Sequence, residues 1–475
     1  MALTYTNFCC RSGGSNLNAG TRTGDTTEPG TGADITYASG TWVQATRIFT
    51  PASGDPVADG VAVGDFVSVY ADGSSATGYV ARVTARDTLT ITTSATALAG
   101  TAPTDGVTTR TLKVGGAWAG PNGASPWIDT FPAAVLTNVA GDPPRLNFKN
   151  DTTYSITAAM TLSTGDCLNF AGYTSAFGDG GKATIDGGTT GASYVLLTLG
   201  GTAGATNIEY MIFGNNGATG SANGVTSSAN GVRFFQCVVH DVRGKGFSNT
   251  LNTLYVECEA YLCNTSNTAA FGAWHNTSNM TCLRCISHDN AGTNASGFRN
   301  AGTATLVNCV ADTNGEHGFI SSSAGNFCLL VNCDSYNNTA DGANVLTALH
   351  HLDSSNFVKN TLFGVNGTTG TYAATYNCGF GKGTQVNGSG DTDGNVIETG
   401  SVDYADDATP WTAPTTGDFS ITLAAAKNAG RGVFVETQAS YTGTVAYPDI
   451  GAGQANVAAS AGSARVVMVA NIGTF

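Results

Sequence analysis

An all-β solenoid is the fold class this sequence predicts, and three observations predict it. Six cysteine-centred segments recur in the second half: FFQCVVHDVRGKGF around Cys237, YVECEAYLCN around Cys258, LRCISHDNAG around Cys285, VNCVADTNGEHGF around Cys309, VNCDSYNNTADGA around Cys333 and YNCGFG around Cys378. A degenerate copy, LDSSNFVKNTLFGV, places Ser355 in the same slot, and the anchors follow one another at steps of 21 to 27 residues. The second observation is composition: 63 glycines, 11% charged residues and abundant Thr, Asn, Ser and Ala favour short strands and turns over helices. The third is another register inside the repeat. Five residues past the anchor stand Asn290, Asn314, Asn338 and Asn360, followed by Gly297-Phe298, Gly318-Phe319, Gly342-Ala343 and Gly364-Val365. Each unit of such an array buries its apolar face only against its neighbours.

Taken in order, residues 1–118 carry no repeat and read as an N-terminal β module. GDFVSVYADG, GYVARVTA and DTLTITTSA alternate Phe66, Val69, Val80, Val83, Leu89 and Ile91 with polar neighbours, the period-2 pattern of antiparallel strands in a small barrel or sandwich. KVGGAWAGPNGASPW then supplies Trp118 and Trp127 to cover the open end of the first coil. Coils occupy 119–395. Their cysteines follow inward-looking apolar stretches and are expected to stack as buried thiols. The asparagines are expected at tight left-handed corners, bonding to the copies above and below, with the glycines at a further corner. Residues 396–475 end in the apolar ARVVMVANIGTF and are read as a C-terminal β cap and oligomerisation region.

A net charge of −14 argues against a nucleic-acid partner, and no run of about 18 apolar residues predicts membrane insertion. MALTYTNFCC lacks the charged and apolar regions of a secretory signal, so synthesis in a cytoplasm without a signal peptide is expected. Cys282 and Cys285 have metal-like spacing but no second such pair follows, so no metal is expected; no signature implies a cofactor either.

With these residues in view, the chain resembles the right-handed parallel β-helix repeat proteins of the pectin-lyase-like class. The resemblance is carried by the coils from about 207 to 381, by GYTSAFGDGGKATIDG (172–187) and by DIGAGQ (449–454), which is similar to the end segment of many phage and environmental bacterial members. With a separate N-terminal module, the layout resembles a phage tailspike. The resemblance implies a virion protein, a homotrimer, attachment to other virion proteins through the N-terminal module, and contact with host surface polysaccharide. It leaves open a capsid decoration (cement) protein without enzymatic activity, and a polysaccharide depolymerase, either glycoside hydrolase or lyase.

Sugar-cleaving β-helices present carboxylates on one exposed sheet. The positions three and four past each anchor match best: His240-Asp241, Tyr261-Leu262, His288-Asp289, Asp312-Thr313 and Tyr336-Asn337. Asp289 and Asp312 on successive coils, with Glu316 at the next corner, are the candidate catalytic residues. His288, Tyr261, Tyr336 and His317 are the candidate glycan-binding residues. A solvated polar face with ordinary corner carboxylates is the competing reading. Asp179 and Asp186 lie in glycine-rich turns and read as turn residues.

Overall fold

In the computed structural model the described residues run from Tyr5 to Ile421, with gaps of which 122–143 and 382–395 are the longest, and they contain no α-helix. Trp127 and the apolar C-terminal run, including Val466 to Val469, lie outside the described residues. The chain divides into two compact units, residues 1–280 and 281–475.

The first unit holds an antiparallel sheet of seven strands that nearly closes, from Ile35–Tyr37 to Arg110–Val114. Its interior is Trp42, Phe49, Val69, Tyr79, Val83 and Ile91 with their neighbours. Not every alternating apolar residue faces that interior. Phe66 and Val80 are also buried, but Phe66 meets Phe8 edge-on at 4.9 Å. Leu89 stands exposed at a hairpin tip where the Asp87 carboxylate accepts from the Leu89 and Thr90 amides.

The rest of the first unit is a parallel β-helix. Three sheets run side by side along it, and each rung contributes one short strand to each sheet in register, as in Val232–Phe235 against Thr253–Val256 and Val238–His240 against Glu259–Tyr261. Right-handed strand twist gives such crossovers a right-handed winding. The first rung begins earlier than the repeat does: Thr6–Cys10 pairs in parallel with Pro144–Lys149. This puts Phe8 at the head of an interior column continued by Leu146, Phe170, Ile208, Phe234 and Tyr255. Trp118 closes the column as expected. It bridges to Cys10, stacks on Phe8 at 5.1 Å and 7°, and its indole N–H donates to the Asn18 carbonyl at 2.7 Å.

The second unit repeats the plan, and its sequence columns become physical ladders. Asn290 Nδ2 donates to Asn314 Oδ1 at 2.6 Å, Asn314 to Asn338 at 2.8 Å and Asn338 to Asn360 at 2.9 Å, all of them buried. These asparagines are not the left-handed corners. Positive φ falls one residue earlier, at Asp289, Thr313, Asn337 and Lys359, and just before the anchor at Arg284, Asn308 and Asn332. The glycines also act otherwise than expected. A Cβ on Gly318 would lie 2.4 Å from Ser335 Oγ, 2.7 Å from the Gly342 carbonyl and 2.9 Å from Asn338 Nδ2. Close packing onto the ladder, not a left-handed turn, requires glycine there. The next residue does return to the core, with Phe298 and Phe319 stacked at 5.3 Å.

All eleven described cysteines are buried, and none of them is in a disulfide. Cys309 Sγ donates to the Val307 carbonyl and to the Cys282 carbonyl one rung back, and Cys333 repeats this with Val331 and Leu306. Burial pushes the Cys309 thiol well above its ordinary value. A thiol reagent at pH 8 should therefore modify these cysteines at least about 10³-fold more slowly in native protein than after unfolding in guanidinium. Comparable rates in the two states would contradict the buried ladder.

Candidate functional site

In the second sheet the strands ending at Gly214, His240, Tyr261, His288, Asp312, Tyr336 and Val358 are each followed by a left-handed corner. In the first unit the terminal residues Asp186, Gly214, His240 and Tyr261 lie one above another in register. Gly214 leaves room for the imidazole, since a Cβ there would lie 2.6 Å from His240 Cε1. The His240 ring stacks on Tyr261 at 5.1 Å and 9°, and its Nδ1 lies 2.7 Å from Asp241 Oδ2. Asp186 ends the strand Ala183–Asp186 and does not lie in a turn as expected; its carboxylate accepts from the Gly188 amide and from Asn215 Nδ2. Asp179 is a turn residue as expected, taking amides from Thr174, Ser175, Ala176 and Gly181; together they hold its carboxyl well below the usual range.

In the second unit the same positions are His288, Asp312, Tyr336 and Val358. His288 Nδ1 lies 2.8 Å from Asp289 Oδ2, repeating the His240–Asp241 pair. A carboxylate at Nδ1 orients the ring and directs Nε2 away from the corner. Thr313 Oγ1 donates to Asp312 Oδ1 at 2.7 Å. Asp312 is pushed up to about 6, mainly by burial and further by the Asp289 charge, against the Thr313 bond and the His288 ring. His288, Asp289 and Asp312 are thus brought together, with Asp289 well exposed at the corner.

Glu316 and His317 belong to a different cluster, on the turn leading into the third sheet. Glu316 Oε2 accepts from Ser296 Oγ at 2.6 Å, and His317 Nδ1 lies 3.3 Å from Asp341 Oδ2. Asp341 is fully buried and accepts from the Phe363 amide and from the Asn344 and Asn366 side chains. Burial lowers Arg299, while the Glu316 charge opposes this. Tyr336 is only 4% exposed, so its ring is not presented to solvent. Tyr261 lies in the first unit, beside His240. The sequence placed His240-Asp241 in the best-matching column but gave the pair no role, although the repeated His-Asp dipeptide was a signal for one, and Asp341 was passed over as a site residue. Among the described residues no cluster of three or more His, Cys, Asp or Glu could hold a metal ion.

The raised Asp312 value carries a stability consequence. Between about pH 4 and pH 6 the folded chain holds a proton on Asp312 that the unfolded chain has released, so stability falls as pH rises through that window. Above it the fold carries a penalty of at most about 3 kcal/mol. Asp312→Asn should accordingly raise unfolding free energy by about 1–3 kcal/mol at pH 8 and change it little at pH 4, read from urea titrations at both values. A gain of equal size at both would contradict the desolvated carboxyl.

No protein-family model and no curated protein sequence matches the chain. Among solved structures it is similar to the pectate lyase Pel9A, at 16% identity and TM-score 0.48, covering 68% of this chain and 90% of that one. It is also similar to the Azotobacter vinelandii mannuronan C-5 epimerase AlgE4 A-module, at 12% and 0.38, covering 55% and 87%. A third is bacteriophage CBA120 tailspike protein 3, at 10% and 0.35, covering 57% and 49%. What the chain shares with them is the parallel β-helix.

Proposed function

We propose that this chain is a phage virion protein of tailspike or tail-fibre type, a homotrimer that contacts host surface glycans and attaches through its N-terminal barrel. The observation that carries the reading is the outer edge of the second sheet. In the first unit the His240 imidazole, held by Asp241, stacks on Tyr261 one rung away, which suits the aromatic stacking and hydroxyl pairing that sugars need. Purified protein should bind capsule or lipopolysaccharide from the host. His240→Ala with Tyr261→Ala should weaken binding by at least about tenfold, or about 1.4 kcal/mol. Immunogold should label tails; shell-wide labelling, a monomer by light scattering, or unchanged binding by the double variant would each count against the proposal.

A second reading, a glycan-cleaving enzyme, is favoured by one observation. Asp312, pushed up to about 6 by burial, stands beside the exposed Asp289, and a carboxyl raised in this way next to a second carboxyl is the kind of pair that glycoside hydrolysis uses. It requires new reducing ends or unsaturated sugars when the same polysaccharide is incubated with the protein. Their absence removes it.

A further inference from the structure

We propose that the outer face of the third sheet in the second unit carries a second sugar site, in which Arg299 and Glu316 share one hydroxyl of a neutral sugar and Asn344 accepts from another. Phe298 and Phe319 stack in the core, so the residues next to them point outward: Arg299, Ile320, Asn344 and Asn366 form one file in register. On the turn leading into this sheet, Glu316 reaches back to the first of these rungs, where it holds Ser296 Oγ. His317 reaches forward to the third, where its Nε2 lies 3.2 Å from Asn344 Nδ2. Two groups of this cluster are left open. Asn344 is 6% exposed, yet its Oδ1 accepts no hydrogen bond. Its Nδ2 is spent on Asp341 Oδ2 at 2.9 Å and on the imidazole. Exchanging the two ends of the amide would set its oxygen against the Asp341 carboxylate, so the cluster is short of a hydrogen donor. The other open group is Arg299. Its half-buried guanidinium finds neither a hydrogen bond nor an ion pair among the described residues, and the Glu316 charge acts on it without closing one. Glu316 Oε2 holds Ser296 Oγ at 2.6 Å, but Oε1 stands 3.7 Å from His317 Nε2, too far for a hydrogen bond.

A ligand for this cluster accepts from Arg299 and donates to Glu316 Oε1 and to Asn344 Oδ1. A hydroxyl both donates and accepts, and a sugar carries several around one ring. A carboxylate or phosphate would pair with Arg299 but also meet Glu316 and Asp341, two carboxylates to one guanidinium. An ammonium group would meet the guanidinium. A neutral sugar is the class that fits. Entry is from the side of Glu316 and His317, whose side chains are 21% and 11% exposed. Asn344 Oδ1 is closed to solvent, so reaching it requires these side chains to change rotamer, as side chains at binding surfaces commonly do. Asp341 is a positioning residue: fully buried, it holds His317 Nδ1 at 3.3 Å and Asn344 Nδ2, and so fixes the direction of the open Oδ1. The site rests on the glycan reading proposed above, but on residues of the other unit and of another sheet than His240 and Tyr261.

The test is saturation-transfer NMR on the full chain carrying His240→Ala and Tyr261→Ala, so that the edge of the second sheet is silent. The probes are the methyl glycosides of glucose, galactose and mannose, with glucuronate and glucosamine as charged comparators. At least one neutral glycoside is expected to give a signal, and adding Arg299→Met or Asn344→Leu should weaken its binding by at least about tenfold, as for the loss of a hydrogen bond to a charged or buried group. Where either variant fails to fold, Glu316→Ala on the partly exposed side of the cluster should show the same loss. No signal from any neutral glycoside, or a signal unchanged by these substitutions, would overturn the site. A signal from glucuronate or glucosamine alone would overturn it as well, since the cluster would then select an ion. Failure of host polysaccharide to bind the unsubstituted chain, with the glycoside signals kept, would count against the tailspike reading and leave this site standing.

Discussion

Asn338→Ala is expected to cost about 3–5 kcal/mol of unfolding free energy, several times a typical substitution. The Asn338 amide sits at the centre of the ladder: it accepts from the backbone and side-chain nitrogens of Asn314 and donates to Asn360 Oδ1, Ser335 Oγ and the Ala311 carbonyl. Alanine leaves the Asn314 donors buried without their acceptor and fills none of the space. Asn338→Asp should be no better, because a carboxylate cannot donate to Asn360 Oδ1 and would be buried with its charge. The adjacent Asn337 is the control. It is a left-handed corner with φ of 53°, so Asn337→Gly should change stability by less than about 1 kcal/mol. Hydrogen exchange on Asn338→Ala should localise the loss to the rungs around residues 311–360, since repeats couple chiefly to their neighbours. A cost for Asn338→Ala below that of Asn337→Gly would refute the ladder's role.

Phe8→Ala should cost a comparable amount, about 3–5 kcal/mol, and should also change the shape of the unfolding transition. Phe8 is buried between Phe66 of the antiparallel barrel, Trp118 of the closing bridge and the interior column that begins at Leu146. Removing the ring opens a cavity where barrel and first rung meet. Calorimetry should then resolve a separate barrel transition, which Leu89→Ala, at the exposed hairpin tip, should not produce. A single unchanged transition in Phe8→Ala would mean that the two parts are joined elsewhere.

The columns of like residues were legible because a repeated side chain on a β-helix meets its own copy one rung away. The cysteine anchors, the asparagine ladder and the Gly-Phe pairs could therefore be read as stacks from their spacing alone. The conformation at each position was less legible. Left-handed corners fall on Asp241, Leu262, Thr313 and Lys359, which share no side chain, because the winding of the rung imposes that backbone. The strand Thr6–Cys10 escaped notice for a related reason. It carries no repeat spacing, and its partner lies more than a hundred residues away at Pro144–Lys149.

The candidate site divides the same way. His288, Asp289 and Asp312 meet as the spacing implied, since one rung step is all that separates them. Glu316 and His317 do not join them: the intervening turn carries the chain toward another sheet, where Ser296 and Asp341 are the partners. Nor does alternation reveal that Asp334 and Tyr336, outward by pattern, are covered.

By itself the sequence determined that this protein is a stack of near-identical rungs and which side chains pile into files, because repetition encodes contact between copies. Only the tertiary structure decided which files face solvent, where the backbone turns left-handed, and which acids become neighbours. Those outcomes depend on the path of the chain around each rung and on pairing with strands far away in sequence, such as Thr6–Cys10 with Pro144–Lys149, and no local spacing records either.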